Sequence, residues 1–298
     1  MIRRPPRSTQ SRSSAASDVY KRQIDWFEGQ VFDKSWSYAF HSFYPKTTIV
    51  GYRASHSFSA YLCSFPIPIE HEAKCLPDEI AIQGEGSRKA LTEFFPKLGV
   101  RIMPSFKSTF VWDFNYKYNS KKNIVLITLP ISIDMAIEMI NKIHNVKVSL
   151  KVDDINNSFI IKPHPTHNLR LIKEMVRKVD SDIQVTEEKS FSAVLNDTAV
   201  LLTDASSTCL EALACGIPVI IMSSSVGLSY NPLPDSVPSK IYCSAKTIDD
   251  IVLALKLFLN RDALMFKELN IIGQKIRIDF FEPITQQGMN QFLNKNIK

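Results

Sequence analysis

The chain has 298 residues, of which 45% are hydrophobic, so it is long enough for two domains of ordinary size. No stretch approaches the roughly 20 apolar residues that a membrane span requires, and the five cysteines form no CxxC pair that would indicate a zinc site. The formal net charge is +6, but the first 23 residues supply five of these charges, so the basic balance does not predict nucleic-acid binding. We therefore expect a soluble, cytoplasmic protein.

The first 23 residues, MIRRPPRSTQSRSSAASDVYKRQ, differ in composition from the rest of the chain. They are rich in Arg and Ser, and Ile2 and Val19 are their only aliphatic core formers. They lack the helical apolar period of a mitochondrial presequence and resemble the translated read-through of a sequencing adapter. We interpret residues 1–23 as a disordered, non-native segment, and we expect the native N-terminus to be missing.

The next part of the chain alternates short β-branched runs with a helical pattern, as parallel βαβ units do. Strands are predicted at TTIVGY (47–52), DEIAIQG (78–84) and VRIMPSF (100–106), and a helix at RKALTEFF (88–95). The run KSTFVWDFNYKYNSKKN (107–123) is polar, aromatic and basic. A nucleic-acid patch can have this composition, but we favour a solvated linker between domains that packs a few rings.

The second half of the chain repeats the strand–helix pattern more regularly. Its predicted strands cover residues 123–130, 158–163, 183–186, 199–204, 218–222 and 241–245. Its predicted helices cover residues 132–144, 168–179, 191–197 and 206–215, with a long helical tail from about 248 to the end. The pattern predicts an α/β protein of two Rossmann-like domains, the first of them incomplete.

One predicted strand ends in the unusual sequence FIIKPHPTH. Pro163 and Pro165 fix φ and remove two backbone donors, and each restricts the residue before it. His164 is therefore held extended beside Lys162, where its imidazole can donate a hydrogen bond to a phosphate oxygen. The alternative is a histidine that caps a loop or the following helix.

A second strand end lies in LLTDASSTCLEALACGIPVII. The strand ends at Asp204, which could orient the hydroxyls that follow it, and a helix then begins with three hydroxyl residues: Ser206, Ser207 and Thr208. The start of a helix offers unpaired N–H groups and partial positive charge, so it is a ready anion site. Ordinary N-capping by one serine is the alternative. Glu211 lies one turn past Ser207, and both a ribose-binding and a solvated or capping carboxylate remain open for it.

These motifs, in this order, resemble the C-terminal domain of GT-B fold glycosyltransferases. The likeness covers about residues 123–222 and is strongest for the bacterial surface-polysaccharide group, which includes capsule and Kdo transferases, sialyltransferases with an HP motif and CDP-glycerol polyol-phosphate transferases. In the first half, WFEGQVFDKSWSYAF, IVGYRASHSF and LPDEIAIQG resemble the surface carbohydrate biosynthesis proteins of this superfamily.

The resemblance implies two Rossmann-like domains that face a cleft. The first, acceptor-side domain is truncated to residues 24–118, residues 119–280 bind the nucleotide sugar, and a C-terminal helix within 281–298 returns toward the first domain. It also implies that His164, Lys162 and the hydroxyl helix start hold the donor phosphate and that Glu211 takes the ribose.

Inverting transfer also needs a general base on the acceptor hydroxyl, which the first domain is expected to supply. Glu28, at a predicted helix start, is the first candidate, and His56, after the strand TTIVGY, is the second. Their alternatives are a favourable first-turn acid and a polar loop residue. No DxD pair precedes a metal-compatible loop and no GxGxxG occurs, so we expect neither a metal ion nor a dinucleotide cofactor.

The leading hypothesis is a glycosyltransferase that moves a sugar from a nucleotide donor, with a CMP-linked donor favoured, to a glycan or lipid-linked glycan. We expect it to act in the cytoplasm, with peripheral association at the inner membrane face, and to bind no nucleic acid. Polyol-phosphate transfer, nucleotide-sugar epimerisation and nucleotide binding without catalysis are the alternatives.

Overall fold

The computed structural model describes residues 22–56, 62–114, 124–152 and 158–293, and these fall into two compact units. Unit 1 contains the described residues up to Lys107 together with those from Glu282 onward, and unit 2 contains those from Ser108 to Phe281. The sequence placed these divisions at 118/119 and 280/281. Most of the predicted non-native segment lies outside the described residues, but Arg22 and Gln23 belong to the first strand.

Unit 1 is built on a four-stranded parallel sheet, sheet 1, with strand order β1-β2-β3-β4. Its strands are β1 (Arg22–Trp26), β2 (Thr48–Arg53), β3 (Glu79–Ile82) and β4 (Gly99–Ile102). Its helices in this part of the chain are α1 (Val31–Phe43), α2 (Pro68–Glu72) and α3 (Arg88–Thr92), with 3-10 turns at Leu62–Ser64 and Glu85–Ser87. The predicted strands of this unit are therefore present, and β1 and α1 add to them.

The end of the chain belongs to the core of unit 1. The last described helix, α11 (Gln286–Phe292), places Phe292 in one apolar cluster with Val50 and Ala81 of the sheet and Met103, which follows β4. Two arginines fix its end, because Arg22 donates to the carbonyl of Leu293 and Arg101 donates to that of Phe292. Unit 1 is therefore assembled from two ends of the sequence.

Unit 2 is built on a six-stranded parallel sheet, sheet 2, with strand order β10-β9-β8-β5-β6-β7. Its strands are β5 (Ile124–Thr128), β6 (Ser158–Lys162), β7 (Gln184–Val185), β8 (Thr198–Thr203), β9 (Val219–Met222) and β10 (Tyr242–Ala245). Its helices are α4 (Phe110–Asp113), α5 (Ile133–Val152), α6 (Leu169–Val179), α7 (Phe191–Leu195), α8 (Thr208–Ala214), α9 (Ile248–Leu259) and α10 (Ala263–Phe280), with a 3-10 turn at Ser239–Ile241. Both faces of the sheet are covered by apolar clusters, as a parallel sheet requires.

Two helix ends in unit 2 show how local sequence sets the elements. Gly216 follows α8 with φ +76°, the left-handed conformation in which helices commonly end. The predicted long tail is interrupted after Leu259, because Asp262 caps a new helix by accepting from the N–H of Met265. Cys209 lies within α8 and Cys215 is its C-cap; both are buried, and burial raises the pKa of each thiol to about 12.

Candidate functional site

The carboxyl edge of sheet 2 brings the two predicted anion-binding stretches to one side of the sheet. Thr128, at the end of β5, lies opposite Lys162 of β6 on one side and Thr203 of β8 on the other. Neighbouring strands are about 4.8 Å apart, so the ends of β6 and β8 lie about 10 Å apart. His164 and the start of α8 therefore emerge from the same edge, where open α/β sheets bind their ligands.

His164 is half-buried, and its ring is held in one orientation. Nδ1 accepts a hydrogen bond from the backbone N–H of Thr166 at 3.3 Å and lies 2.8 Å from the Thr166 hydroxyl. Because Nδ1 accepts, the neutral ring carries its proton on Nε2. Burial first, and then the charges of His167 and Lys162, lower the pKa of His164. At neutral pH the imidazole is therefore an uncharged donor through Nε2.

His167 is a residue of this edge that the sequence analysis did not single out. Its Nε2 lies 2.8 Å from the carbonyl of Pro130, which follows β5, and its ring lies 6.0 Å from that of His164 at 73°. It thus ties the loop after β6 to the loop after β5. The signal was present in the sequence as a second histidine three positions after the first.

Lys162 has a role that its position in the motif did not indicate. The side chain is buried, and its ammonium donates to the main-chain carbonyls of Glu188 and Lys189, each at 3.0 Å. Burial lowers the pKa of Lys162, although the charge of Glu188 opposes this shift. Lys162, which was predicted to bind phosphate, therefore uses two of its N–H donors to hold the loop after β7 in place.

The hydroxyl residues at β8 and α8 form a compact local network. The helix begins at Thr208, two residues later than predicted, with Ser207 at the N-cap position. Ser206 Oγ accepts from the backbone N–H of Thr208 at 3.3 Å and from its hydroxyl at 3.0 Å. Ser206 therefore supports the first turn directly, in the manner of the capping alternative, and the hydroxyls remain at the sheet edge.

Glu211 is buried with 6% exposure, which excludes the solvated carboxylate that the sequence left open. Its Oε1 accepts from the hydroxyl of Ser108 at 2.6 Å, and Ser108 is itself buried. A buried carboxylate on the first turn of α8 is a fixed acceptor beside the hydroxyl cluster.

A second polar network at this edge surrounds Glu138 of α5, which sequence reasoning missed. Its carboxylate accepts from the hydroxyls of Ser224 and Ser225 at 2.5 and 2.7 Å, from the Ser225 N–H, and from Lys142 at 2.7 Å. Burial raises the pKa of Glu138, but these hydrogen bonds outweigh it and lower the pKa to about 2. The network clamps the loop after β9.

Asp204 shares a small pocket with this network. The pocket is lined by Pro130, Met135, Glu138, Met139, Lys142, Asp204, Met222, Ser223 and Ser224. Burial raises the pKa of Asp204, the N–H of Ala205 opposes this shift, and the charge of Glu138 adds to it. Asp204 therefore faces the pocket beside the loop after β9.

Glu28 belongs to the carboxyl edge of sheet 1, in the loop after β1. Helix α1 begins three residues later, at Val31, and its first-turn acid is Asp33, which accepts from the N–H groups of Glu28 and Gln30. The interpretation of Glu28 as a first-turn acid is therefore wrong. Burial lowers the pKa of Arg53, and the negative charge of Glu28 partly offsets this shift.

His56 is buried with 6% exposure, so it is not the exposed polar loop residue that one interpretation predicted. Its Nδ1 lies 2.8 Å from the hydroxyl of Ser87. Burial, together with the charges of Arg53 and Lys107, lowers the pKa of His56 to about 3. Such a ring is uncharged and weakly basic at neutral pH, which makes Glu28 the better candidate for a general base.

No group of three or more His, Cys, Asp or Glu side chains in the described ranges could hold a metal ion. No helix there combines the length and the apolar character that crossing a membrane demands.

No protein-family model matches the sequence, and no curated protein matches it. Solved structures do match. The chain is similar to the S. aureus MnaA–UDP co-structure, with a TM-score of 0.61, 14% identity, and coverage of 100% of this chain and 84% of that one. It is similar to UDP-GlcNAc 2-epimerase from Neisseria meningitidis bound to UDP-GlcNAc, with a TM-score of 0.55, 18% identity, and coverage of 93% and 82%.

TarM is a third similar structure, with a TM-score of 0.53, 13% identity and coverage of 92% of this chain. The fold is GT-B-like. This chain spans 54% of the TarM chain. At these identities the similarity concerns the fold, an α/β arrangement of Rossmann-like units with parallel sheets, and the predicted fold class is confirmed.

Proposed function

We propose that the protein is a GT-B-type enzyme that binds a nucleotide-activated sugar and transfers the sugar to a surface polysaccharide without a bound metal ion. The observation that carries this proposal is the carboxyl edge of sheet 2, where His164 follows β6 and α8 follows β8, two strands whose ends lie about 10 Å apart. The GT-B-like fold and the structures with bound UDP or UDP-GlcNAc support a nucleotide-sugar ligand.

The donor phosphate is the ligand proposed for this edge. Nε2–H of His164 donates to a phosphate oxygen, because Nδ1 is committed to accepting from Thr166. The hydroxyls of Ser206 and Ser207 supply further donors, and Thr208, predicted as a third, instead donates its hydroxyl proton to Ser206. As the bond to the sugar breaks, negative charge grows on the departing phosphate, and oriented donors stabilise that charge.

Three further residues have proposed roles in binding the ribose, holding a loop and accepting a proton. Glu211 is proposed to accept from the ribose hydroxyls, since it is a fixed carboxylate on the first turn of α8. Lys162 is proposed to hold the loop after β7 and also to add positive charge near the donor phosphate. Glu28 is proposed as the base that takes the proton of the acceptor hydroxyl, ahead of His56.

The experiment is a nucleotide titration of the His164→Ala variant. One hydrogen bond to a charged group contributes about 1.5–3 kcal/mol, so affinity for UDP and CMP should fall about tenfold or more. His144→Ala is the matched control, because His144 lies in the same unit and pairs with Asp180 instead. Unchanged nucleotide affinity in His164→Ala would remove the basis of the proposal. The preference between CMP and UDP is read from the same titrations.

Epimerisation of a nucleotide sugar is the second candidate, because the similarity to UDP-GlcNAc 2-epimerase covers most of both chains. Product analysis separates the candidates. Transfer requires an acceptor and releases the nucleotide, whereas an epimerase converts UDP-GlcNAc with no acceptor present. CDP-glycerol as donor tests polyol-phosphate transfer, and binding without any turnover indicates a non-catalytic protein. Flotation with vesicles tests the proposed peripheral membrane association.

A further inference from the structure

Helix α1 turns an apolar stripe toward solvent. Phe32 is 74% exposed, Trp36 38% and Phe43 78%, and Ala39, which lies between the last two, is half-buried. These four positions follow the spacing i, i+4, i+7 and i+11, so they lie along one side of the helix. A helix on the surface of a monomeric domain ordinarily turns such a stripe toward the core, so an exposed one indicates an interaction surface.

The opposite, polar side of α1 is the side that packs on unit 1. Ser37 is buried, and Lys34 forms an ion pair with Glu70 of α2. His41 Nε2 lies 2.9 Å from the carbonyl of Leu76, which precedes β3. These contacts fix the rotation of the helix about its axis, and they leave the aromatic stripe on the outside.

The charge of this outer face favours a second copy of the chain over a membrane. In α1, which the structure describes over its whole length, no exposed position carries a charged side chain. A helix that lies on a membrane surface carries Lys or Arg on its polar side, where they attract anionic lipids. Lys34 and His41 of α1 are instead engaged by groups of unit 1. A neutral face can meet an identical face without repulsion between like charges.

The stripe is also complementary to itself. Its steps of four, three and four residues are the same in both directions along the chain. In an antiparallel pair of α1 helices related by a twofold axis, Phe32 therefore faces the partner's Phe43, and Trp36 faces the partner's Ala39. Two rings meet at each end of the pair, and the largest side chain meets the smallest near the axis, as close helix packing requires.

We propose that two copies of the chain associate through antiparallel α1 helices, with Phe32, Trp36, Ala39 and Phe43 at the centre of the interface. This inference goes beyond the proposed function, in which none of these residues takes part. At about 200 Å² per aromatic side chain, the exposed parts of the three rings amount to roughly 400 Å² per copy. With the residues that flank the stripe, two copies approach the roughly 1,200 Å² of the smallest specific interfaces, so the association is expected to be weak and reversible.

The test is sedimentation velocity of the whole chain from about 1 to about 200 µM, the range in which a small interface dissociates. We expect the dimer fraction to rise with concentration. Phe32→Lys and Phe43→Glu should each weaken association at least about tenfold, because each places a charge against apolar surface. Leu264→Lys, at an exposed apolar position of α10 in unit 2, is the matched control and should leave association unaltered. All three side chains are exposed, so the thermal unfolding temperature should stay near that of the wild type.

An equimolar mixture of Phe32→Lys and Phe43→Glu tests the antiparallel arrangement directly. In a mixed pair, the introduced ammonium faces the introduced carboxylate at one end, and the two native phenylalanines face each other at the other end. The mixture should therefore associate at least about fivefold more strongly than either variant alone. Misfolded chains would not recover association on mixing, so this result cannot come from a loss of structure.

A wild-type chain that stays monomeric over this concentration range overturns the inference. A mixture that associates no more strongly than its components also overturns it, since positions 32 and 43 would then not face each other. The stripe belongs to a bilayer instead if the wild type is monomeric, floats with vesicles of phosphatidylcholine and phosphatidylglycerol, and loses flotation in Phe32→Lys.

Discussion

The carboxyl edges of the two sheets use the same residue types in opposite ways. At sheet 2, His164 and Ser206 are part-exposed and bond to residues two positions away. At sheet 1, Arg53 and His56 are buried and bond to groups eleven and thirty-one positions away. Short-range bonds orient a side chain and leave it accessible, whereas long-range bonds between buried groups fix loops. The side chains that a ligand can reach therefore lie at sheet 2, whereas the buried side chains at sheet 1 hold loops in place.

The largest effect that tests this contrast is expected from Gly29→Ala in the β1 loop. Gly29 has φ +79°, and an added Cβ would lie 2.1 Å from the carbonyl oxygen of Cys63, which is rigid backbone. We expect a loss of about 2–4 kcal/mol in the free energy of unfolding, measured by urea denaturation. Gly227→Ala is the counterpart after β9, where the three atoms nearest to the added carbon all belong to the flexible side chain of Met135. A loss there equal to that at Gly29 would contradict the contrast between the loops.

The next test compares the two histidines by NMR titration. The pKa of His56 is lowered to about 3, so its ring should stay neutral across the range in which His164 titrates, somewhat below the ordinary value of 6.5. Between pH 6.5 and 3 the unfolded chain binds the proton at His56 and the folded chain does not. Stability from this site is thus present above pH 6.5 and is lost as the pH falls. A His56 resonance that titrates near pH 6 would show that the edge of sheet 1 is open to solvent.

A smaller effect, with the same direction of pH dependence, tests the edge of sheet 2. The folded-state pKa of Glu138 is about 2, below its ordinary 4.5, so its contribution to stability is present above pH 4.5 and is lost as the pH falls toward 2. Glu138→Gln should flatten the fall of the urea midpoint between pH 5 and pH 2.5. Glu174→Gln, at an exposed ion pair, is the matched control. Equal acid sensitivity in wild type and Glu138→Gln would mean that the serine loop is not held by this carboxylate.

The smallest effect is expected from Thr166→Val beside His164. The variant loses the hydroxyl but keeps the backbone N–H that Nδ1 accepts, so the Nε2–H tautomer should persist in the ¹⁵N spectrum. Nucleotide affinity should fall only about threefold, as the net value of one neutral hydrogen bond suggests. If Thr166→Val were as damaging as His164→Ala, the hydroxyl itself would contact the nucleotide.

The periodicity of apolar residues, together with glycine and proline at the ends of elements, was enough to predict most of unit 2. The predicted strand 218–222 appears as Val219–Met222, and Gly216 ends α8 because its missing Cβ permits positive φ. Strand β1 escaped prediction because its side chains are half-exposed and its first two residues were assigned to the non-native segment. The hydrogen-bond partners of the Lys162 and His56 side chains could not be predicted from the sequence either, because Glu188 and Ser87 are distant from them along the chain.

Helix α11, which completes the core of unit 1, bears on the order in which the chain folds during translation. Phe292 completes an apolar cluster whose other members are Val50, Ala81 and Met103, so that core is unfinished until translation has passed its final turn. The described residues of unit 2 run from Ser108 to Phe281, so unit 2 contains no residue of α11. Before that helix has left the ribosome, one face of sheet 1 lacks its apolar cover and is open to chaperones.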